Sequence, residues 1–225
     1  TGTDGVDDVV TVVGAGGATI KGVGGADTIT GGEGSDTIHG ADGDDYIDGG
    51  MGADTITGDD GADAIYGSAG EDLISGDAGN DYIDGGADGD TISGGAGDDT
   101  IFGADGYDDI HGGSGDDIID AGKDGDVVDG GSGADTITAG SGDDTVYGGS
   151  GADDIDGGEG DDNIYGGMDA DTITAGDGEN TVYGDGGADT IVTGKDGDVI
   201  DGGMDADTIT AGAGDDSIYG GMGTD

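Results

Sequence analysis

The chain has 225 residues with 55 Asp or Glu against 3 Lys or Arg, a formal net charge of −52, 62 Gly, and no Pro, Cys or Trp. That balance excludes nucleic acid, whose phosphates require clustered Lys and Arg, and it argues against direct membrane insertion or an anionic membrane partner. Without Cys no disulfide contributes, and so Gly-rich and acidic a chain would ordinarily stay disordered, with too little apolar surface to offset chain entropy. A fold must therefore come from a repeat, and the missing countercharge from metal cations.

Residues 1–21 open the chain as an irregular lead-in coil. Asp8 and Val10 imitate a pattern that becomes regular only later, one residue out of step before Ile20. No basic-then-apolar start marks a signal peptide and no long apolar run marks a membrane span. The start at Thr1 and the stop at Asp225 inside a repeat give the expectation of a piece of a larger polypeptide.

From Gly22 to Asp225 the pattern G-G-x-G-x-D-x-U-x holds without an insertion. The sixth position runs through Asp27, Asp36, Asp45, Asp54, Asp63, Asp72, Asp81, Asp90, Asp99, Asp108, Asp117, Asp126, Asp135, Asp144, Asp153, Asp162 and Asp171. After one exception, Asn180, it continues through Asp189, Asp198, Asp207, Asp216 and Asp225. The eighth position, Ile29 through Ile218, is 19 Ile and 3 Val. A disordered acidic tail has no reason to place a β-branched residue at every ninth place.

A second period lies inside the first. Between Asp135 and Asp216 the fifth position alternates, with Ala134, Ala152, Ala170, Ala188 and Ala206 in one set and Asp143, Asp161, Glu179, Gly197 and Asp215 in the other. The structural unit is therefore 18 residues, two nonapeptides in different environments, and it predicts an all-β solenoid with two faces. In each repeat x-U-x reads as a three-residue strand with U inward. Gly at the first, second and fourth positions suits a tight turn with positive φ. Five fourth positions carry Asp instead (Asp88, Asp124, Asp169, Asp196 and Asp205), read chiefly as turn residues that tolerate left-handed geometry.

The sixth-position Asp stands where the turn ends, within reach of carbonyls of a neighbouring turn. Carboxylate and carbonyl oxygens in a flexible loop favour calcium; magnesium gives up its water reluctantly, and zinc prefers His or Cys. Loops on one edge recur every 18 residues, so Asp27 is expected to share an ion with Asp45, and Asp36 with Asp54. Filling every gap would take on the order of 20 calcium ions and bring the net charge to about −10. Metal binding and folding should be one event.

These repeats resemble the RTX (repeats-in-toxin) calcium-binding nonapeptide over about nine-tenths of the chain. The resemblance implies a right-handed parallel β-roll with calcium between turns on both edges. It also implies export through a type I secretion system, unfolded in low cytosolic calcium and folding outside. Family members carry such blocks in secreted toxins, proteases, lipases, adhesins and surface-layer proteins. The expectation is a non-catalytic, calcium-binding structural segment of a secreted or cell-surface protein, with the rest of that polypeptide, neighbouring copies or a cell surface as partners. The alternatives are a C-terminal folding and secretion module of a toxin or hydrolase, and an adhesin surface that binds ice or carbohydrate. Asn180 departs from the pattern and should weaken the sites beside it.

Tyr147, Tyr165 and Tyr183 are 18 apart at the ninth position and predict an outward ladder that Tyr219 rejoins after Asp201. Thr-Ile-Thr recurs at Thr136, Thr172 and Thr208, but Asp154, Asp156 and Val192 interrupt that array, which reads as ordinary β-propensity. His39 and His111 lie four coils apart, too far to share a metal, and no Ser or His sits where it could activate a nucleophile.

Overall fold

The computed structural model describes residues 6–12, 14 and 16–224. Twenty-four strands run from β1 (Val9–Thr11) to β24 (Ser217–Tyr219), and among the described residues there is no helix. Odd-numbered strands form one 12-stranded sheet and even-numbered strands another. Every pairing is parallel and joins a strand to the next but one, as in β3 (Thr28–Glu33) against β5 (Tyr46–Met51), where Ile29 faces Ile47. The architecture is an all-β parallel solenoid of 18-residue coils.

The eighth position explains the core. In a strand alternate side chains point to opposite faces, so one β-branched residue per repeat faces inward. Ile29, Ile47, Ile83 and Val128 are wholly buried, and the stack continues to Ile200. Each coil adds two such side chains, and the coil before and the coil after bury them. This is nearest-neighbour stabilisation, the usual condition of a repeat protein.

The strands are longer than the three residues the sequence suggests. From β3 to β18 (Asn163–Met168) each spans six residues, from the seventh position through the third of the next repeat. Gly31 at the first position continues the inward alternation after Ile29, and the ladder resumes with Gly32 opposite Gly50. Stacked glycines carry no side chain that would part the coils, so pairing extends into what sequence reads as turn. From β19 (Thr172–Thr174) onward most strands shorten to three residues.

The lead-in segment is paired too. Val10 lies opposite Ile29, a spacing of 19, whereas β2 (Thr19–Lys21) meets β4 (Thr37–Asp42) at 18. The one-residue slip visible before Ile20 is thus absorbed in the first coil.

Candidate metal sites along the two edges

The connections between sheets use the fourth to sixth positions. Turns leading from the first sheet to the second end in Asp36, Asp54 and their successors; turns leading back end in Asp27, Asp45 and theirs. The left-handed backbone they need falls at the second and fourth positions. Asp88, Asp124, Asp169 and Asp205 take it at φ 76, 70, 78 and 77, as expected of fourth-position Asp, but Asp196 is not among the positive-φ residues. Second-position residues that sequence did not single out, Ala41, Asp59, Ser68, Asp77, Ala104 and Asp185, take it as well.

First-position Gly has another role. A Cβ on Gly58 would collide with Oδ2 of Asp63 and with the carbonyl oxygen of Gly76 in the next coil. Two oxygens from different coils therefore crowd the face of one glycine. Ala121, Ala139 and Ala175 hold this position with wholly buried methyls, so the crowding can be relieved where the sequence requires it.

The two oxygens of a sixth-position carboxylate differ in their surroundings. The N–H of Asp45 donates to Oδ1 of Asp63 at 2.8 Å, and the N–H of Asp63 donates to Oδ1 of Asp81 at 2.8 Å. This ladder runs the length of both edges. One begins with Asp8 N–H to Asp27 Oδ1 and reaches Asp207; the other begins with Ala18 N–H to Asp36 Oδ1 and reaches Asp216. Asp27 and Asp45 are brought together as the sequence predicts, with a backbone N–H between them. Asp225 lies outside the described residues.

Oδ2 is different. At every sixth-position Asp from Asp27 to Asp198 it is buried with no hydrogen-bond partner. A buried polar atom without a partner is unusual in a folded protein and marks a missing ion or water. The cost is visible in proton affinity. Burial pushes the carboxyls of Asp63, Asp90, Asp99, Asp126, Asp162 and Asp171 up to about 7, against the pull of the N–H from the preceding coil, and neighbouring carboxylates push further. Asp72, Asp117, Asp144 and Asp153 rise to about 6 for the same reasons. Coils stack at about 4.8 Å, so adjacent ionised carboxylates repel by roughly 3 kcal/mol at an effective dielectric of 20. One charge-assisted hydrogen bond contributes about 1.5–3 kcal/mol and cannot offset two such neighbours.

The donor set fits a hard divalent cation: an unpartnered carboxylate oxygen beside backbone carbonyls on a turn. Among the described residues no point gathers three or more acidic or imidazole side chains, so an ion held here would depend on carbonyls for the rest of its shell. The two histidines stand apart from these columns, His39 near Asp59 at 3.9 Å and His111 near Asp109 at 3.6 Å.

Sequence reading missed a second ladder at the fifth position. Asp98 N–H donates to Asn80 Oδ1, Asp116 N–H to Asp98 Oδ1 and Ala134 N–H to Asp116 Oδ1, all at the exposed rim. Acidic fifth positions recurring 18 apart, Asp98 and Asp116 or Asp143 and Asp161, were the available signal.

On the outer faces Tyr147, Tyr165 and Tyr183 stack, with centroids 4.9 and 5.1 Å apart. A tilted ladder of Tyr46, Tyr66, Tyr82 and Phe102 lies on the other sheet.

No curated protein matches the chain. The RTX calcium-binding nonapeptide repeat, in its four-copy form, matches residues 21–56, 57–92, 93–128, 129–164, 165–200 and 201–225. Unbroken coverage from residue 21 onward, on a parallel β-solenoid with an Asp column along each edge, places the chain in the RTX calcium-binding repeat family.

Proposed function

We propose that this chain is a non-catalytic, calcium-dependent structural segment of a larger secreted or cell-surface protein, and that its sixth-position Asp residues from Asp27 to Asp216 hold the ions. The observation that supports this most directly is the row of buried, unpartnered Oδ2 atoms from Asp27 to Asp198, interrupted at Asn180. Calcium, when bound, would supply positive charge to oxygens that otherwise repel one another. The chain supplies the rest: Oδ1 locks each coil to the one before, the glycines let coils approach, and the inward Ile column buries apolar surface.

Filling both edges takes on the order of 20 ions. Because no preformed site exists in an extended chain, binding free energy is folding free energy. In low cytosolic calcium the segment would stay unfolded and passable through a secretion channel; outside the cell it would fold and stiffen. The described residues contain no helix long and apolar enough to cross a membrane. An uninterrupted run of repeats suits an adhesin or surface-layer protein, in which a long rigid element has a mechanical use.

Far-UV circular dichroism during a calcium titration, with magnesium in parallel, tests this. The expected result is a cooperative coil-to-β transition with calcium and none with magnesium at equal concentration. A full β signal in chelator, or no response to calcium, would remove the proposal.

A further inference from the structure

One turn breaks the column that begins at Asp36. Asn180 stands at a sixth position, 1 % exposed. Its Oδ1 keeps the column's bond and accepts the N–H of Asp162 at 2.9 Å, while its own N–H donates to Oδ1 of Asp198 at 2.9 Å. Those bonds fix which end of the amide is oxygen, so Nδ2 stands where every neighbour has Oδ2. It donates to the carbonyl of Gly178, two residues earlier, at 3.3 Å. At Asp162 and Asp198 the corresponding oxygen is buried without a partner.

Asn180 thus names the group its own turn offers at the place that Oδ2 takes in the others. The fourth-position carbonyl of the same turn is an acceptor, and a carboxylate oxygen is an acceptor too. Two acceptors need something positive between them; one acceptor and an amide N–H need nothing. The amide nitrogen has no lone pair to offer a metal, and its hydrogen engages the carbonyl an ion would use.

We propose that the Asn180 turn is a cation-free rung, in which the side-chain amide does for this turn what an ion does for the others. This rests on the reading that the remaining sixth-position turns take calcium. The rung closes its turn without metal. It also removes the charge that would stand one coil, about 5 Å, from each of Asp162 and Asp198, leaving the next charge of the column on that side two coils away, at about 10 Å. It lies in the turn between β19 and β20 (Thr181–Gly186), where the strands begin to shorten, so the roll keeps one metal-independent joint at that point.

The test is the number of calcium ions bound per chain at saturation, by equilibrium dialysis, for the unaltered chain and for Asn180→Asp. The expected result is one ion more in Asn180→Asp; an unchanged count in a folded variant overturns the proposal. Should Asn180→Asp not fold, Asp144→Asn carries the test instead. It creates a second amide rung, is expected to fold on calcium addition and to bind one ion fewer, and an unchanged count there overturns the proposal equally. An unaltered chain that binds no calcium would overturn the underlying functional reading, a failure distinct from either unchanged count.

Discussion

Asp98 and Asp99 are consecutive in the chain but hydrogen-bonded in opposite directions along the solenoid. The N–H of Asp98 donates to Asn80 Oδ1, one coil earlier, at 3.0 Å; the N–H of Asp99 donates to Asp117 Oδ1, one coil later, at 2.8 Å. This turn is therefore tied to both neighbours by adjacent peptide units. The fifth-position bond lies at the rim, in reach of water, whereas Asp99 is 1 % exposed. The two ladders look alike in sequence and differ in what their loss should cost.

Removing the side chain of Asp99 deprives the buried N–H of Asp81 of its acceptor, at about 1–3 kcal/mol, and removes an ion site besides. Asp99→Asn keeps Oδ1 and sacrifices only the ion. Asn80→Ala leaves an N–H that water can satisfy. In saturating calcium the expected order of urea stability is unaltered chain, Asn80→Ala, Asp99→Asn, then Asp99→Ala, with the first two within about 1 kcal/mol. Equal losses for Asp99→Asn and Asp99→Ala would show that the Oδ1 ladder carries no weight.

Protons should partly replace calcium. In a folded metal-free coil Asp63, Asp90 and Asp99 hold their protons up to about 7, because burial disfavours the anion; the ordinary value is 3.8. Groups raised in this way contribute stability that is complete below the unfolded value and lost as pH rises through the folded one. The metal-free chain is therefore expected to be disordered at neutral pH and to gain β structure as pH falls from about 7 toward 4. Circular dichroism in chelator would follow this, with sedimentation to separate folding from association near the isoelectric point of about 4.1. A metal-free chain that stays disordered throughout would contradict it.

Glycine is required unequally. Gly79 has φ +142, and a Cβ there would collide with the carbonyl of Gly61 in the preceding coil. Asp88, also at a fourth position, sits at φ 76, within the left-handed region that Asp tolerates. Gly79→Ala is expected to destabilise the calcium-loaded fold by about 2 kcal/mol or more, since backbone must move as well as strain. Asp88→Gly should change stability by no more than about 1 kcal/mol. Urea unfolding in calcium compares them, and equal effects would refute the distinction.

Much of this was legible because a nine-residue period is a geometric statement. Ile or Val at each eighth position and Asp at all but one sixth can recur only if every repeat meets the same surroundings, and Ile29 and Asp27 are buried as that demands. Less legible was how Asp27 divides its two oxygens, since a residue letter does not say which oxygen meets a neighbouring N–H. Ser68 at positive φ was hidden for a related reason: stacking between Gly50 and Gly86 imposes a conformation that its own propensity would not choose. Asn180 stood out in sequence as a lost charge, but its bond to Gly178 depends on where the amide points.

The tilted aromatic ladder escaped sequence reading because it zigzags. Tyr46 and Tyr82 hold seventh positions, Tyr66 and Phe102 ninth positions, so the spacings are 20 and 16 and no fixed period reveals them. Tyr66 meets Tyr46 at 5.4 Å and Tyr82 at 5.7 Å, so Tyr66→Ser breaks two ring contacts, each contributing about 0.5–1.5 kcal/mol. The ring lies on the outer face of the sheet, away from the turns that carry Asp45 and Asp63. The expected outcome is a loss of about 1–3 kcal/mol in urea unfolding with an unchanged calcium count. Tyr165→Ser, which interrupts the stacked ladder on the other sheet, should behave alike. If either change lowered the calcium count, the faces and the edges of the roll would be coupled, and the aromatic ladders would belong to the metal chemistry instead of lying outside it.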